Sequence, residues 1–196
     1  MNLTFITDIG DSFVLGCMVI TGAGYLLFQG CRKGASALLL SLSGSAFLIG
    51  LLKLFVRGCN EGLHRYGIYS PSGHAALSVA VLGTYALLLA GQLQGLWRFV
   101  PLLLLVPLIS AIALTRLILG FHTAPEIIIG LIAGGIALLP AVVFLRYNTI
   151  EKFNVYGFML SALAVALIFN GFRLPAENFI VMLSQYIKTH VALCAK

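Results

Sequence analysis

The chain is a succession of long apolar runs, each closed by a short polar or basic stretch. Six such runs occupy residues of about 12–28, 35–53, 72–91, 99–115, 122–145 and 155–169. They are continuous and rich in Leu, Ala and Ile. A helix that crosses the hydrocarbon core needs roughly 20 mostly apolar residues, whereas barrel strands alternate over about ten. The pattern therefore predicts an all-α membrane bundle of six transmembrane helices, one domain over 1–196. Arg32 and Lys33 follow the first run, Lys53 closes the second, Arg116 follows the fourth and Arg146 the fifth. The tail, 170–196, is mixed. Within it Glu177 to Lys188 read as an amphipathic helix lying at the interface, without chemistry of its own.

Composition agrees with this and removes the alternatives. Apolar residues make up 60% of the chain and charged residues only 9%, with a mean hydropathy of +1.05. A soluble domain carries about 25% charge, so a cytosolic enzyme, a disordered tail and a secreted disulfide miniprotein are excluded. The pI is 9.4, but the 12 Lys and Arg are scattered singly and form no basic stripe. No nucleic-acid partner is expected. The opening MNLTFITDIGDS has two Asp and no basic residue before its apolar run, unlike a cleaved signal peptide, so the first helix is expected to be retained. Cys17, Cys31, Cys59 and Cys194 make no CxxC pair and no metal-ligand spacing and read as free thiols. A Cys59–Cys194 disulfide is the minor alternative, should both face an oxidising compartment.

Alternating helices place the end of the second run and the start of the third on one face. The end of the fourth and the start of the fifth lie on that same face. Lys53, Arg57, His64, Arg65, Ser72, His74, Arg116, His122 and Glu126 gather there. Ionisable groups at the ends of apolar helices are costly if they sit deep, so such a cluster points to function.

Two segments carry chemistry. In Pro71-Ser72-Gly73-His74 the proline suits a first helical turn, the serine can cap it and the glycine admits close backbone approach. Free N–H groups at such a helix start favour a phosphate, and His74 beside them can donate a proton to a leaving oxygen. In Thr115-Arg116-Leu-Ile-Leu-Gly-Phe-His122-Thr-Ala-Pro-Glu126, Arg116 offers a planar fork for two phosphate oxygens. His122 and Glu126 stand at i, i+4 on one helix face, so the carboxylate can fix the imidazole tautomer and leave the other nitrogen to attack. Separately, each segment also fits a capped helix or a satisfied His–Glu pair. Together with Lys53 on one face, they point to phosphate chemistry. Nothing in the spacing of His64, His74, His122 and Glu126 matches a zinc framework.

Ser72-Gly73-His74 behind Pro71, then Arg116 with five residues to His122 and three more to Glu126, resembles the type 2 phosphatidic acid phosphatase (PAP2) superfamily. The resemblance implies a six-helix membrane lipid phosphatase with a vanadium-haloperoxidase-like core and no metal or other cofactor. Lys53, Ser72, Gly73 and Arg116 would bind phosphate, His74 would protonate the leaving group, His122 would form a phosphohistidine and Glu126 would orient it. The family's first motif places Arg-Pro seven residues after the lysine, where this chain has Asn60-Glu61. Arg57, one turn beyond Lys53, is the preferred substitute, with Arg65 as the other candidate. Thr115 replaces the usual serine, and Glu126 the usual aspartate with an arm one methylene longer.

The expected substrate is a lipid phosphate or diphosphate of the polyprenyl diphosphate, phosphatidate or phosphatidylglycerophosphate type, met among membrane lipids. The alternatives are a phosphotransferase using the same site and a non-catalytic anionic-lipid binder or transporter. No signal for oligomeric state is present. Arg32, Lys33, Arg98, Arg146 and Lys152 lie opposite the active face, which holds the other seven cations. Setting aside Lys53, Arg57 and Arg116 as phosphate ligands and Lys188 and Lys196 as remote leaves two against five. The positive-inside tendency then puts the active face outside, in a bacterial inner membrane.

Overall fold

A computed structural model describes residues 3–59, 61–148, 150–172 and 176–190. The described residues form helices and no strand. A short helix, α1 (Leu3–Ile9), meets α2 (Ser12–Phe28) at a bend of 48°. Then follow α3 (Arg32–Cys59), α4 (Gly73–Gln92), α5 (Val100–Ile118), α6 (Ala124–Tyr147), α7 (Val155–Ile168) and α8 (Ala176–His190). Helix α4 contains a wider, π-type turn at Ser78–Leu82.

All six predicted runs are helical, though not all six are long enough by themselves to count as candidate spans. Among the described residues, four helices are long and apolar enough to cross a bilayer, or five if the bent α1–α2 pair counts as one. Helix α7 has 14 residues and at 1.5 Å per residue falls short of a core about 30 Å thick. Helix α3 also runs past Lys53 to Cys59, so Lys53 lies within the helix and not at its end.

Caps and turns set these limits. Asp11 caps α2 by accepting from Phe13 N at 2.8 Å, and Asn154 caps α7 through Gly157 N at 3.2 Å. The α2–α3 turn carries Gly30 at φ 80°. The main core lies among α2, α4 and α7, where Leu15, Val19, Val81 and Phe158 are buried. Phe158 stacks on Tyr85 with ring centroids 4.8 Å apart. The buried Tyr85 hydroxyl donates to Met18 O at 2.6 Å, which removes the cost of an unpaired polar group there. Outward positions carry Leu103, Leu104, Ile128, Ile132, Ile136 and Leu139, all exposed. Such a belt suits lipid and not water. The chain is a multi-pass membrane protein.

Two glycines bring α6 against α4. A Cβ on Gly130 would lie 2.5 Å from Ser72 O, and one on Gly134 would collide with Ala76 O. Small residues spaced four apart let helix backbones approach closely in a membrane. Here they draw the start of α6, with Glu126 and the preceding His122, onto the start of α4.

Cys17 and Cys31 are free thiols. Cys59 is disulfide-bonded, which corrects the expectation of four free thiols. Cys194, with the Cys59–Cys194 alternative, lies outside the described residues, as do Asn60, Arg173 and Lys196.

Candidate active site

Glu126 organises the site. In the first turn of α6 it forms a capping box with Thr123, accepting from Thr123 N at 3.1 Å. The same oxygen, Oε2, faces His122 Nδ1 at 2.8 Å. The other, Oε1, accepts from Tyr69 N at 2.7 Å and Ser70 N at 2.6 Å. One carboxylate thus caps its helix, ties the α3–α4 loop to α6 and fixes the imidazole. The extra methylene relative to aspartate is absorbed, since the His122 contact has an ordinary length. With Nδ1 engaged, Nε2 is the nitrogen left for chemistry.

His122 reaches Arg116 through a tight turn at Gly120, whose φ of 70° suits glycine. Phe121 N and His122 N both donate to Arg116 O, at 3.1 and 3.3 Å. Burial pushes the His122 imidazole below its ordinary value; Glu126 opposes this, and the Arg116 and Lys53 charges reinforce it. The ring is therefore neutral at neutral pH, the state a nucleophile needs. Arg116 is buried, lies 4.3 Å over the Phe121 ring and donates from Nη1 to Thr7 Oγ1 at 3.5 Å. Thr115 spends its hydroxyl on Ile112 O at 2.7 Å.

On α3, Lys53 is buried and Arg57 stands one turn further on. Both pair with Glu177 of α8: Lys53 Nζ with Oε2, and Arg57 Nη2 with Oε1 at 2.6 Å. Arg57 Nη1 is buried without a hydrogen-bond partner among the described residues, a donor open to an incoming anion. Burial opposes ionisation of Glu177, but Lys53 and Arg57 outweigh it and hold the carboxyl below the usual carboxylate range.

A cavity of about 870 Å³ opens here, lined by Lys53, Arg57, Gly73, His74, Arg116 and His122, with Glu126 and Glu177 at its wall. Of the residues given a catalytic or phosphate-binding role from the sequence, Ser72 is the one that does not line it. Ser72 is fully buried, its Oγ accepts from Ala75 N at 3.4 Å, and its N–H donates to Glu126 O at 3.0 Å. His74 Nε2 lies 3.4 Å from Asp11 Oδ2. Outside the cavity, Arg65 is exposed, and His64 packs on the Tyr69 ring with centroids 5.1 Å apart. His64 is therefore not gathered with His74, His122 and Glu126.

Three participants escaped sequence reasoning. Glu177 of the tail pairs with Lys53 and Arg57 and lines the cavity; its signal was a lone acid at the start of an amphipathic helix. Asp11 comes from the α1–α2 bend and Thr7 from α1, a segment in which the sequence pattern points to no chemistry.

A model of the PAP2 superfamily matches residues 34–150, a stretch that holds Lys53, His74, Arg116, His122 and Glu126. The chain is also similar to the lipid A 1-phosphatase of Rhizobium etli, at 29% identity over 190 residues, covering 80% of this chain and 76% of the relative. No solved structure matches significantly. With the matched stretch spanning more than half of the chain and enclosing both histidines, the protein belongs to the PAP2 superfamily.

Proposed function

We propose that this protein is a lipid phosphatase that works through a phosphohistidine on His122, without a metal. The supporting observation is the His122–Glu126 pair, 2.8 Å apart, with its free nitrogen beside a cavity whose walls carry Lys53, Arg57 and Arg116. Phosphoryl transfer asks mainly for positioning and charge stabilisation. Lys53, Arg57 and Arg116 hold the phosphate, and the Gly73 backbone at the start of α4 adds to the cradle. Ser72, behind the wall, shapes it. His122 Nε2 attacks phosphorus, His74 protonates the departing lipid oxygen, and water then hydrolyses the phosphoenzyme.

The exposed apolar side chains of Leu117 and Phe121 line the cavity, which suits a substrate whose tails stay in the membrane. The substrate class is a lipid phosphate or diphosphate; the name of the Rhizobium etli relative adds lipid A to the polyprenyl diphosphates, phosphatidate and phosphatidylglycerophosphate. An extracytoplasmic active face is supported by the disulfide at Cys59, which ends α3 on that face, because disulfides persist in oxidising compartments. The inner membrane of a bacterium meets these conditions.

The test is phosphate release by detergent-purified protein across that lipid panel, with chelator present, beside His122→Ala. Turnover in chelator that vanishes in the variant is the expected result. Full activity of folded His122→Ala would remove His122 as nucleophile, and release only with added metal would remove the metal-free mechanism.

A further inference from the structure

The α1–α2 bend is wedged against the catalytic helices. A Cβ on Gly10 would lie 2.6 Å from Ile112 Cγ2 of α5 and 2.9 Å from Ser78 Oγ of α4. Next to it, Asp11 is 5% exposed, and each of its carboxylate oxygens has a contact. Oδ1 accepts from Phe13 N at 2.8 Å and caps α2, while Oδ2 stands 3.4 Å from His74 Nε2. The cap fixes the direction of the second oxygen, and the positive end of the α2 dipole favours a negative charge there. This segment precedes the stretch matched by the family model.

We propose that Asp11 is a positioning residue for the proton donor: its Oδ2 holds the Nε2–H of the His74 imidazolium and so presents Nδ1–H to the departing oxygen. The assignment rests on the phosphatase function given above. A proton donor at this place faces an adverse field. Lys53 and Arg57 of α3 and Arg116 of α5 border the same cavity as His74, and all three cations disfavour a protonated ring. His122, just ahead of α6, Glu126 of α6 and Glu177 of α8 border it too. Glu126 is engaged with His122 and Glu177 with Lys53 and Arg57. Asp8 is buried on α1. The Asp11 carboxylate lies in ion-pair reach of the His74 ring.

The proton balance is closed. As His122 Nε2 bonds to phosphorus, the bond from phosphorus to the lipid oxygen breaks, and its electron pair stays on that oxygen. The oxygen takes the Nδ1 proton of His74, which becomes neutral beside the Asp11 carboxylate. His74 then accepts a proton from the water that attacks the phosphohistidine, inorganic phosphate leaves and the imidazolium is restored.

Asp11→Asn keeps a competent helix cap and removes the charge. The measurement is kcat and KM of wild type and Asp11→Asn on a dialkyl-glycerol phosphate and on p-nitrophenyl phosphate, whose phenolate leaves without a proton. Loss of general acid assistance lowers kcat by about 10²-fold on the alkyl ester, against about threefold or less on the aryl ester, with KM little changed. The alkaline limb of the alkyl-ester profile moves to lower pH, and Asp11→Glu recovers part of it. In a His74→Ala background, Asp11→Asn costs nothing further. Equal losses on both esters, or additive losses with His74→Ala, would overturn the role of Asp11 and leave the phosphatase assignment standing. If Asp11→Asn does not fold, the alkaline limb of Asp11→Glu decides, an unmoved limb overturning the proposal. Absence of wild-type turnover on both esters and on the lipid panel would overturn the phosphatase assignment, and the role of Asp11 with it.

Discussion

Arg57 Nη2 lies 2.6 Å from Glu177 Oε1, and the other oxygen of the same carboxylate is held by Lys53. The two residues come from α3 and from the last described helix. A carboxylate therefore sits where two phosphate-suited cations meet, and an incoming phosphate must compete with it. Helix α8 is held there by close packing: a Cβ on Gly58 would touch Ile187 Cγ2 at 3.4 Å, while Phe179, Met182 and Tyr186 remain exposed.

Glu177→Gln removes the competitor and keeps the shape. The variant should bind inorganic phosphate and substrate more tightly, lowering KM by about three- to tenfold, the scale of a charge-assisted contact at a half-exposed site. The gain should shrink at high salt. Phosphate inhibition constants at two ionic strengths check it, and an unchanged constant would show that Glu177 does not compete for the anion.

The pH dependence follows from His122. Its neutral form attacks, and burial holds its pKa below the ordinary 6.5, so the acid limb of kcat/KM should lie below that value. Glu126 favours the protonated ring, so Glu126→Gln should move the limb further down while cutting the plateau about 10²-fold or more through lost orientation. A limb above the ordinary value, or one that rises in Glu126→Gln, contradicts this.

Glu126→Asp restores the residue usual in the family, yet it should not restore or raise activity. Glu126 contacts His122 Nδ1 while also accepting from Tyr69 N and Ser70 N. Shortening the arm breaks that match by about 1 Å, enough to cost roughly 10²-fold in rate. Single-turnover kinetics would reveal it, and wild-type rates in the aspartate variant would disprove it.

Gly130 carries the approach of α6 to α4. Gly130→Ala forces a Cβ against Ser72 O and should destabilise the protein by about 1–3 kcal/mol, with loss of turnover as His74 and His122 separate. Gly135→Ala has nothing within 4 Å of the new Cβ and is the control that should remain neutral in thermal unfolding and phosphate release.

Membrane orientation is open to labelling. Tyr66, near the active face, and Tyr156, at the opposite end of the bundle, are 67% and 88% exposed. In intact cells stripped of their outer barrier, an impermeant maleimide should modify Tyr66→Cys but reach Tyr156→Cys only after permeabilisation. The reverse pattern would put the active face inside.

The sequence by itself determined the helical character, the positions of the six apolar runs and the face on which Lys53, His74, Arg116, His122 and Glu126 meet. Each of these follows from local properties. Apolar run length demands a helix in lipid and short loops force alternation; the close spacing of His122 and Glu126 points to their pairing, which His122 makes from the turn ahead of α6 and not from a shared helix face. The tertiary structure decided what local pattern does not encode. The reach of α3 past Lys53, the withdrawal of Ser72 behind the cavity wall and the bend at Gly10–Asp11 depend on packing against distant helices. Glu177 meets Lys53 across 124 positions of the chain, and no periodicity links them. Polar contacts between remote segments are fixed by which surfaces come together, and in this chain glycines at helix crossings bring them together.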